Sequence, residues 1–221
     1  MRIVSAMLPA EIEIETERVT SMVIENPNLF LRLLKELYRA TQDNSTSIIL
    51  SIDNEIQKTT QWIELITSFV PLELNDKRII ARIAGELEEN ALNEDHYRET
   101  MELFSQIESY LTSLSNGFPY CIDFTGINMV SLIKACGLSV MDDSESDIER
   151  VFQYITMVRD LFGEKLFVFV NIRSFFSDEE METFIETVVA HNFYVLLIDG
   201  KEYNRMKNEE RIVIDSDLCV I

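Results

Sequence analysis

The chain has 221 residues, of which 47% are hydrophobic, and it contains only six Gly and four Pro, a composition typical of an ordered globular protein. It carries 39 acidic and 19 basic side chains, which gives a formal net charge of −20 at pH 7. This charge counts against nucleic-acid binding by the surface as a whole, because a basic face supplies most of the affinity in such complexes.

The cysteines and the apolar segments indicate a cytoplasmic protein. Cys121, Cys136 and Cys219 are scattered, odd in number and outside any C-x-x-C pair, which favours reduced thiols over a disulfide framework. The first residues, MRIVSAMLPAEIEIE, lack the apolar stretch of a signal peptide. No segment approaches the roughly 18 consecutive apolar residues of a membrane span.

The first 60 residues predict strands around one helix. Residues 10–16, AEIEIET, alternate between polar and apolar, which is typical of a strand with one solvated face. Val19–Ile24 predicts a second strand, and the helix after it begins at Asn26 as N-cap with Pro27 in its first turn. Ile48–Ile52 predicts the next strand. We therefore expect a strand–helix–strand unit that closes onto a parallel sheet.

The middle of the chain has a helical period. From Thr60 to about Leu114 apolar residues recur every three or four positions, and the clearest stripe is Tyr97, Met101, Phe104, Ile107, Leu111 and Leu114. Ile127 to Ala135 predicts a shorter helix that Gly137 ends. This region predicts an all-helical domain.

The last third returns to alternating strands and helices. An acidic connection, MDDSESDIER, leads into a helix that Gly163 ends. Ser177 followed by Glu180 has the spacing of a capping box and predicts the start of another helix. The predicted strands are LFVFV at 166–170, FYVLLI at 193–198, and an edge pair at 211–214 and 218–221.

Together these elements predict an α/β protein with a discontinuous architecture. We expect residues 1–60 and 144–221 to form one α/β domain, and residues 61–143 to form a helical domain inserted into it.

The motifs of nucleotide and acyl chemistry are absent from the sequence. Neither G-x-x-x-x-G-K-[ST] nor G-x-G-x-x-G occurs, so we expect no bound nucleotide and no ATP hydrolysis by the usual route. G-x-S-x-G is also missing, and His96 and His191, the only histidines, are far apart in the chain.

Carboxylates at predicted strand ends leave one catalytic alternative open. Asp199 ends one strand, Asp215 and Asp217 follow another, and Asp123 opens a turn. A metal-dependent nuclease would need two or three such groups on one cation. Chance placement is the competing interpretation, since acidic residues are so frequent.

Basic residues form small groups despite the negative net charge. These groups are Arg32, Lys35 and Arg39 on the first helix, then Lys58, and then Lys77, Arg78 and Arg82. A solvated face paired with nearby acids is the alternative to a binding function.

The order of several strings resembles the ring-forming CRISPR-associated adaptation proteins of type II-A systems. In the last third these strings are KLFVFVN, the helix start SDEE, FYVLLID and ERIVIDSDLCVI. SLIKACGLSV in the middle and VIENPNLFLRLLKELYRA near the front also resemble the family. The resemblance spans essentially the whole chain, including the bracketed helical insert.

This resemblance implies a fold and a function. The fold is a P-loop-NTPase-like α/β domain without a phosphate loop. The implied function is non-catalytic: a homotetrameric ring binds double-stranded DNA ends without reading their sequence. The ring acts in spacer acquisition with the CRISPR integrase complex and the effector nuclease.

The resemblance also implies sites. For DNA contact the family uses the loop in which Lys58 lies and neighbouring helices that face the channel, where we expect Lys77, Arg78 and Arg82 to contribute. Its calcium site lies before the short helix, where Asp123 is the only carboxylate. A variant without metal is the alternative at that position. Two other functions remain open: a degenerate ATPase-like scaffold for the adaptation complex with little DNA binding, and the nuclease that uses Asp199, Asp215 or Asp217.

Overall fold

A computed structural model describes residues 1–42, 46–70 and 72–221. The chain divides into two compact units: residues 1–72 with 143–221 form an α/β unit, and residues 73–142 form a helical unit. The predicted boundary at 60/61 is wrong, because residues 63–66 form a strand that pairs with the main sheet of the α/β unit.

The described residues contain nine strands and seven α-helices. The strands are β1 (Arg2–Ser5), β2 (Ile12–Glu13), β3 (Val19–Ile24), β4 (Ile48–Ile52), β5 (Glu55–Gln57), β6 (Ile63–Ile66), β7 (Leu166–Val170), β8 (Tyr194–Asp199) and β9 (Glu209–Ile214). The helices are α1 (Pro27–Gln42), α2 (Thr59–Trp62), α3 (Lys77–Ala91), α4 (Tyr97–Ser115), α5 (Met129–Cys136), α6 (Asp147–Phe162) and α7 (Asp178–Ala190). None of these described helices is long and apolar enough to cross a membrane.

The α/β unit is built on a parallel sheet of five strands in the order β6-β7-β8-β3-β9. All five residues of β7 are buried, which is the pattern of a strand covered on both faces. On one face Phe169 makes an edge-to-face contact with Phe184 of α7, and Phe167 makes one with Phe193, which directly precedes β8. On the other face Val168 belongs to a core shared with α1 and the smaller sheet.

The smaller sheet is antiparallel and has the order β2-β1-β4-β5. The predicted strand–helix–strand unit is wrong, because β4 pairs with β1 and does not join the sheet of β3. In β4, Ile48 and Leu50 face the core while Ile49 between them is exposed, so this strand has one solvated face. Asp53 and Asn54 both have positive φ and form the tight turn into β5.

The helical unit contains α3, α4 and α5, and α3 packs against α5. Asp76 caps α3 by accepting from the Arg78 N–H at 2.7 Å. Asn128 caps α5 in the same way, and Gly137 ends that helix at a φ of +74°. The helices predicted for this region are therefore present.

Two features of the last third differ in outcome. The capping box at Ser177 and Glu180 is confirmed, since each residue bonds the other's backbone N–H. The expected edge pair is present in part: β9 lies at the edge of the sheet, parallel to β3, and residues 218–221 meet it in one isolated antiparallel bridge between Val220 and Ile214.

Candidate functional site

The connection between β3 and α1 closes the place where a phosphate loop would lie. Only Glu25 and Asn26 separate the two elements. The Asn26 Oδ1 accepts hydrogen bonds from the backbone N–H groups of Asn28 at 3.0 Å and Leu29 at 3.1 Å. These are the donors that a helix N-terminus offers to a phosphate. Asn26 therefore occupies the anion site with its own side chain.

The carboxyl end of β7, where a parallel sheet often carries a ligand site, instead makes structural contacts with the next strand. Asn171 has a φ of +55° and donates its N–H to the Ile198 carbonyl at 2.8 Å. Its Oδ1 accepts from the Gly200 N–H at 3.1 Å. Asn171 thus ties the end of β7 to the end of β8.

A buried group of four charged side chains lies on the face of the sheet that α7 covers. It consists of Arg173 after β7, Asp199 at the end of β8, and Glu209 and Arg211 in β9. Glu209 forms ion pairs with Arg173 at 2.9 Å and with Arg211 at 2.8 Å. We call these four residues the buried ion cluster.

Asp199 is the least well paired member of the buried ion cluster. Its side chain is 1% exposed, and Arg173 Nε is 4.0 Å from Oδ2. Neither carboxylate oxygen accepts a hydrogen bond from the described residues. Burial raises the pKa of Asp199 to about 6, against the attraction of Arg173.

The pKa of Glu209 is shifted in the opposite direction from that of Asp199. Burial favours its neutral form, but the Met206 N–H and the Arg173 guanidinium hold its pKa below the ordinary value. Both its carboxylate oxygens are occupied, because Arg211 Nε donates to Oε1 at 2.9 Å and Met206 N–H donates to Oε2 at 2.8 Å. It is therefore the permanent anion of the cluster.

The three aspartates of the nuclease alternative, Asp199, Asp215 and Asp217, do not converge on one metal site. Asp215 Oδ1 accepts from the backbone N–H groups of Asp217 and Cys219, which is a local turn. Asp199 is enclosed with the arginines of the buried ion cluster. Within the described residues, no group of three or more His, Cys, Asp or Glu side chains could hold a metal ion.

Asp123 does not stand in a cage suited to calcium. Its residue is exposed, and its Oδ1 accepts from the neighbouring Phe124 N–H at 2.9 Å. Calcium requires six to eight oxygen ligands, usually with several carboxylates, whereas the part of the chain that the structure describes offers no such cluster. The residues present do not fit this ion.

The four predicted DNA-contacting residues are all exposed but belong to different units. Lys58 precedes α2 in the α/β unit. Lys77, Arg78 and Arg82 lie in the first six residues of α3 in the helical unit. Arg82 Nε pairs with Glu86 at 3.1 Å.

Sequence reasoning missed Arg173 and Arg211 and the basic loop between β8 and β9, residues 200–208 (GKEYNRMKN). The loop contains Lys201, Arg205 and Lys207 and only one acid, Glu202. This local excess of positive charge was a visible signal in a chain of net charge −20. The burial of the arginines was not, because it depends on how distant strands meet.

Comparisons with known proteins agree on one family. The family model described as "CRISPR-associated protein (Cas_Csn2)" matches residues 40–218. The "CRISPR-associated protein Csn2" of Enterococcus faecalis is 23% identical over 224 residues, which is 98% of this chain and 96% of that protein. The protein of the same name from Streptococcus agalactiae is 23% identical over 211 residues, covering 91% and 90%.

A solved structure also shares the fold. The crystal structure of Stu0660 of Streptococcus thermophilus matches with a TM-score of 0.55 and 16% identity, over 90% of this chain and 68% of that chain. At this identity the similarity shows a shared fold over most of this chain.

Proposed function

The chain belongs to the Cas_Csn2 family of CRISPR-associated proteins, whose model matches most of its length, and on this premise we propose that it binds double-stranded DNA ends without reading their sequence. It performs no catalysis. It acts in the spacer acquisition of a type II-A system as a homotetrameric ring whose channel accepts a duplex end. Its partners there are the CRISPR integrase complex and the effector nuclease.

The observation that carries this proposal is the uneven charge of α3. Lys77, Arg78 and Arg82 are exposed in its first half, and the acidic residues follow in its second half. A helix dipole favours the reverse order, with acids at the N-terminus. The helix dipole therefore does not account for this order. The arrangement adds side-chain charge to the positive end of the dipole, which suits phosphate contacts.

The net charge sets the expected strength and mode of binding. A charge of −20 per chain becomes −80 for four chains and repels DNA at long range. Contacts with phosphates alone carry no sequence information and weaken steeply with salt. Enclosure of the duplex by a ring slows dissociation without requiring strong contacts. Because a closed ring can be entered only by threading, the duplex must have a free end.

A trapping experiment tests enclosure. The protein is mixed with a linear duplex at low salt, the ends are then ligated to a closed circle, and the salt is raised. We expect retention on the circle at a salt concentration that releases the linear duplex. Release from both, or equal loading of a circle closed beforehand, contradicts the ring. Size-exclusion chromatography with light scattering measures whether the protein is a tetramer, and a calcium arm should change nothing.

A matched pair of substitutions tests the surface of α3. Arg82 pairs with Glu86 on α3, and Arg98 pairs with Glu102 on α4 at 2.8 Å, also four residues apart. We expect R82Q to reduce the slope of log affinity against log salt by about 0.9, the value for one phosphate contact. R98Q should leave the slope unchanged. Equal slopes for R82Q and the wild type contradict a role for this position.

The acidic charge favours one second candidate, a protein scaffold for the adaptation complex with little DNA binding. The same preparation distinguishes the two functions. A tetramer that binds neither linear nor closed DNA, but associates with the integrase complex, supports the scaffold.

A further inference from the structure

The connection from β8 to β9 is unusually short for its topology. Both strands run parallel to β3 and lie on either side of it. A crossover between parallel strands normally needs a dozen or more residues and usually contains a helix. Residues 200–208, which we call the crossover loop, provide nine and form no helix or strand. At about 3.3 Å per residue they span roughly 30 Å when extended, enough to return along the strands but not to build a helix that does so.

The buried ion cluster holds the backbone of the crossover loop. Arg211 Nη1 donates to the Tyr203 carbonyl at 2.6 Å, and its Nη2 donates to the Asn204 carbonyl at 3.1 Å. Arg173 Nη1 donates to the same Asn204 carbonyl at 3.2 Å. The loop is therefore irregular in shape but fixed at its centre by two arginines.

Burying the two arginines that hold the crossover loop costs desolvation free energy. This cost indicates that the conformation of the loop is important. Both arginine side chains and the Glu209 side chain between them are at most 8% exposed. Buried ion pairs usually add no more stability than apolar side chains of similar volume. The cluster is thus better explained by the position it gives to the crossover loop than by stability.

The crossover loop presents cations outward. Lys207 is 3.8 Å from Glu186, and the single loop acid, Glu202, faces Arg211. Lys201 and Arg205 are exposed and have no carboxylate within ion-pair distance among the described residues. The Lys201 ammonium lies 4.8 Å from the centre of the Tyr203 ring, which restricts its position.

Hydrogen bonds to neighbouring residues hold the base of this surface. The Tyr203 hydroxyl is 2.8 Å from the Ser174 Oγ, and Asn204 Nδ2 donates to Asp178 Oδ2 at 2.8 Å. Asp178 begins the acidic first turn of α7. The side of the loop away from α7 is therefore the one that a negatively charged ligand can approach.

We propose that the crossover loop is a DNA-backbone contact of the α/β unit, with Lys201 and Arg205 as its phosphate-binding residues. This rests on the proposed function and adds a contact surface to it. Two cations held on a fixed backbone contact phosphates without reading bases. Tyr203 and Asn204, which lie between these two residues, fix the backbone of the loop, and binding residues on loops are commonly positioned by such a rigid scaffold.

The test compares two exposed arginines, one in the crossover loop and one outside it. Affinity of the wild type, R205Q, K201Q/R205Q and R98Q for a linear duplex is measured over a range of salt. We expect the slope to fall by about 0.9 for R205Q and about 1.8 for the double variant, with no change for R98Q. R205K, which keeps the charge, should restore most of the affinity.

The outcomes separate the two proposals. A wild type that binds no DNA overturns the proposed function and this inference together. A wild type that binds while K201Q/R205Q keeps the same affinity and slope overturns this inference alone, as does an equal loss in R98Q. Unchanged melting temperatures, followed by the fluorescence of the single tryptophan, Trp62, exclude unfolding as the cause of a loss.

Discussion

The replacement of Asp199 by asparagine predicts a change in how stability depends on pH. The carboxyl group is 1% exposed and accepts no hydrogen bond from the described residues, and burial raises its pKa to about 6. In the unfolded chain the same group titrates near 3.8. Native protein therefore binds a proton that the unfolded chain releases. The wild type gains stability from this group as the pH falls through about 6, and loses that gain as the pH rises.

The magnitude follows from the two pKa values. At pH 8 both states are ionised at this position, so the group contributes nothing that depends on pH. At pH 5 about nine in ten native molecules hold the proton, while few unfolded molecules do. The free energy of unfolding of the wild type should then rise by about 1.4 kcal/mol between pH 8 and pH 5 relative to D199N, which binds no proton there.

Urea unfolding at several pH values measures this difference. Trp62, the only tryptophan, packs against the core of the α/β unit and reports its unfolding by fluorescence. The D199N variant is the control for the titrating groups outside the buried ion cluster, because those groups keep the same surroundings in both proteins. A difference between the two proteins that stays constant from pH 8 to pH 5, or that falls toward pH 5, refutes the argument.

Three further pairs of substitutions test the fold by urea unfolding. L196A opens a cavity at a core residue that is 1% exposed and should cost about 2–5 kcal/mol, whereas L31A on the exposed face of α1 should change stability by less than about 0.5 kcal/mol. S177A removes the cap of α7 and should cost about 1 kcal/mol, and a similar cost for E179A in the same turn would contradict the capping role. N171A should be less stable than N171G by about 0.5–1 kcal/mol, because the φ of +55° suits glycine better than alanine; equal stability would show that this backbone position carries no strain.

The sequence predicts those elements whose signal is local. The strands β3, β4 and β7 have the predicted bounds, and the capping box of α7 lies where its spacing indicates. The family resemblance, which used the order of whole segments, is confirmed by the family match. Local periodicity and cap chemistry therefore carry most of the secondary structure.

The errors come from pairings between distant segments. The four residues of β6 follow directly on a short helix, so their apolar pattern is typical of a helical stripe until β7 pairs with them. β4 follows helix α1, which is the order expected for a parallel strand, but it pairs with β1 in an antiparallel arrangement. The interior charge of Asp199 is invisible for the same reason, since only the assembled sheet encloses it.

The order of the parallel sheet has a consequence for synthesis in the cell. β3, at residues 19–24, finds its neighbours only in β8 and β9, about 190 residues later in the case of β9. At a translation rate of about 5–20 residues per second, β3 waits roughly 10–40 s for both edges to be covered. The helical unit is contiguous in sequence and is synthesised within that interval. Because an uncovered apolar strand can pair with other chains, slower elongation through residues 73–193 should increase aggregation of newly made protein.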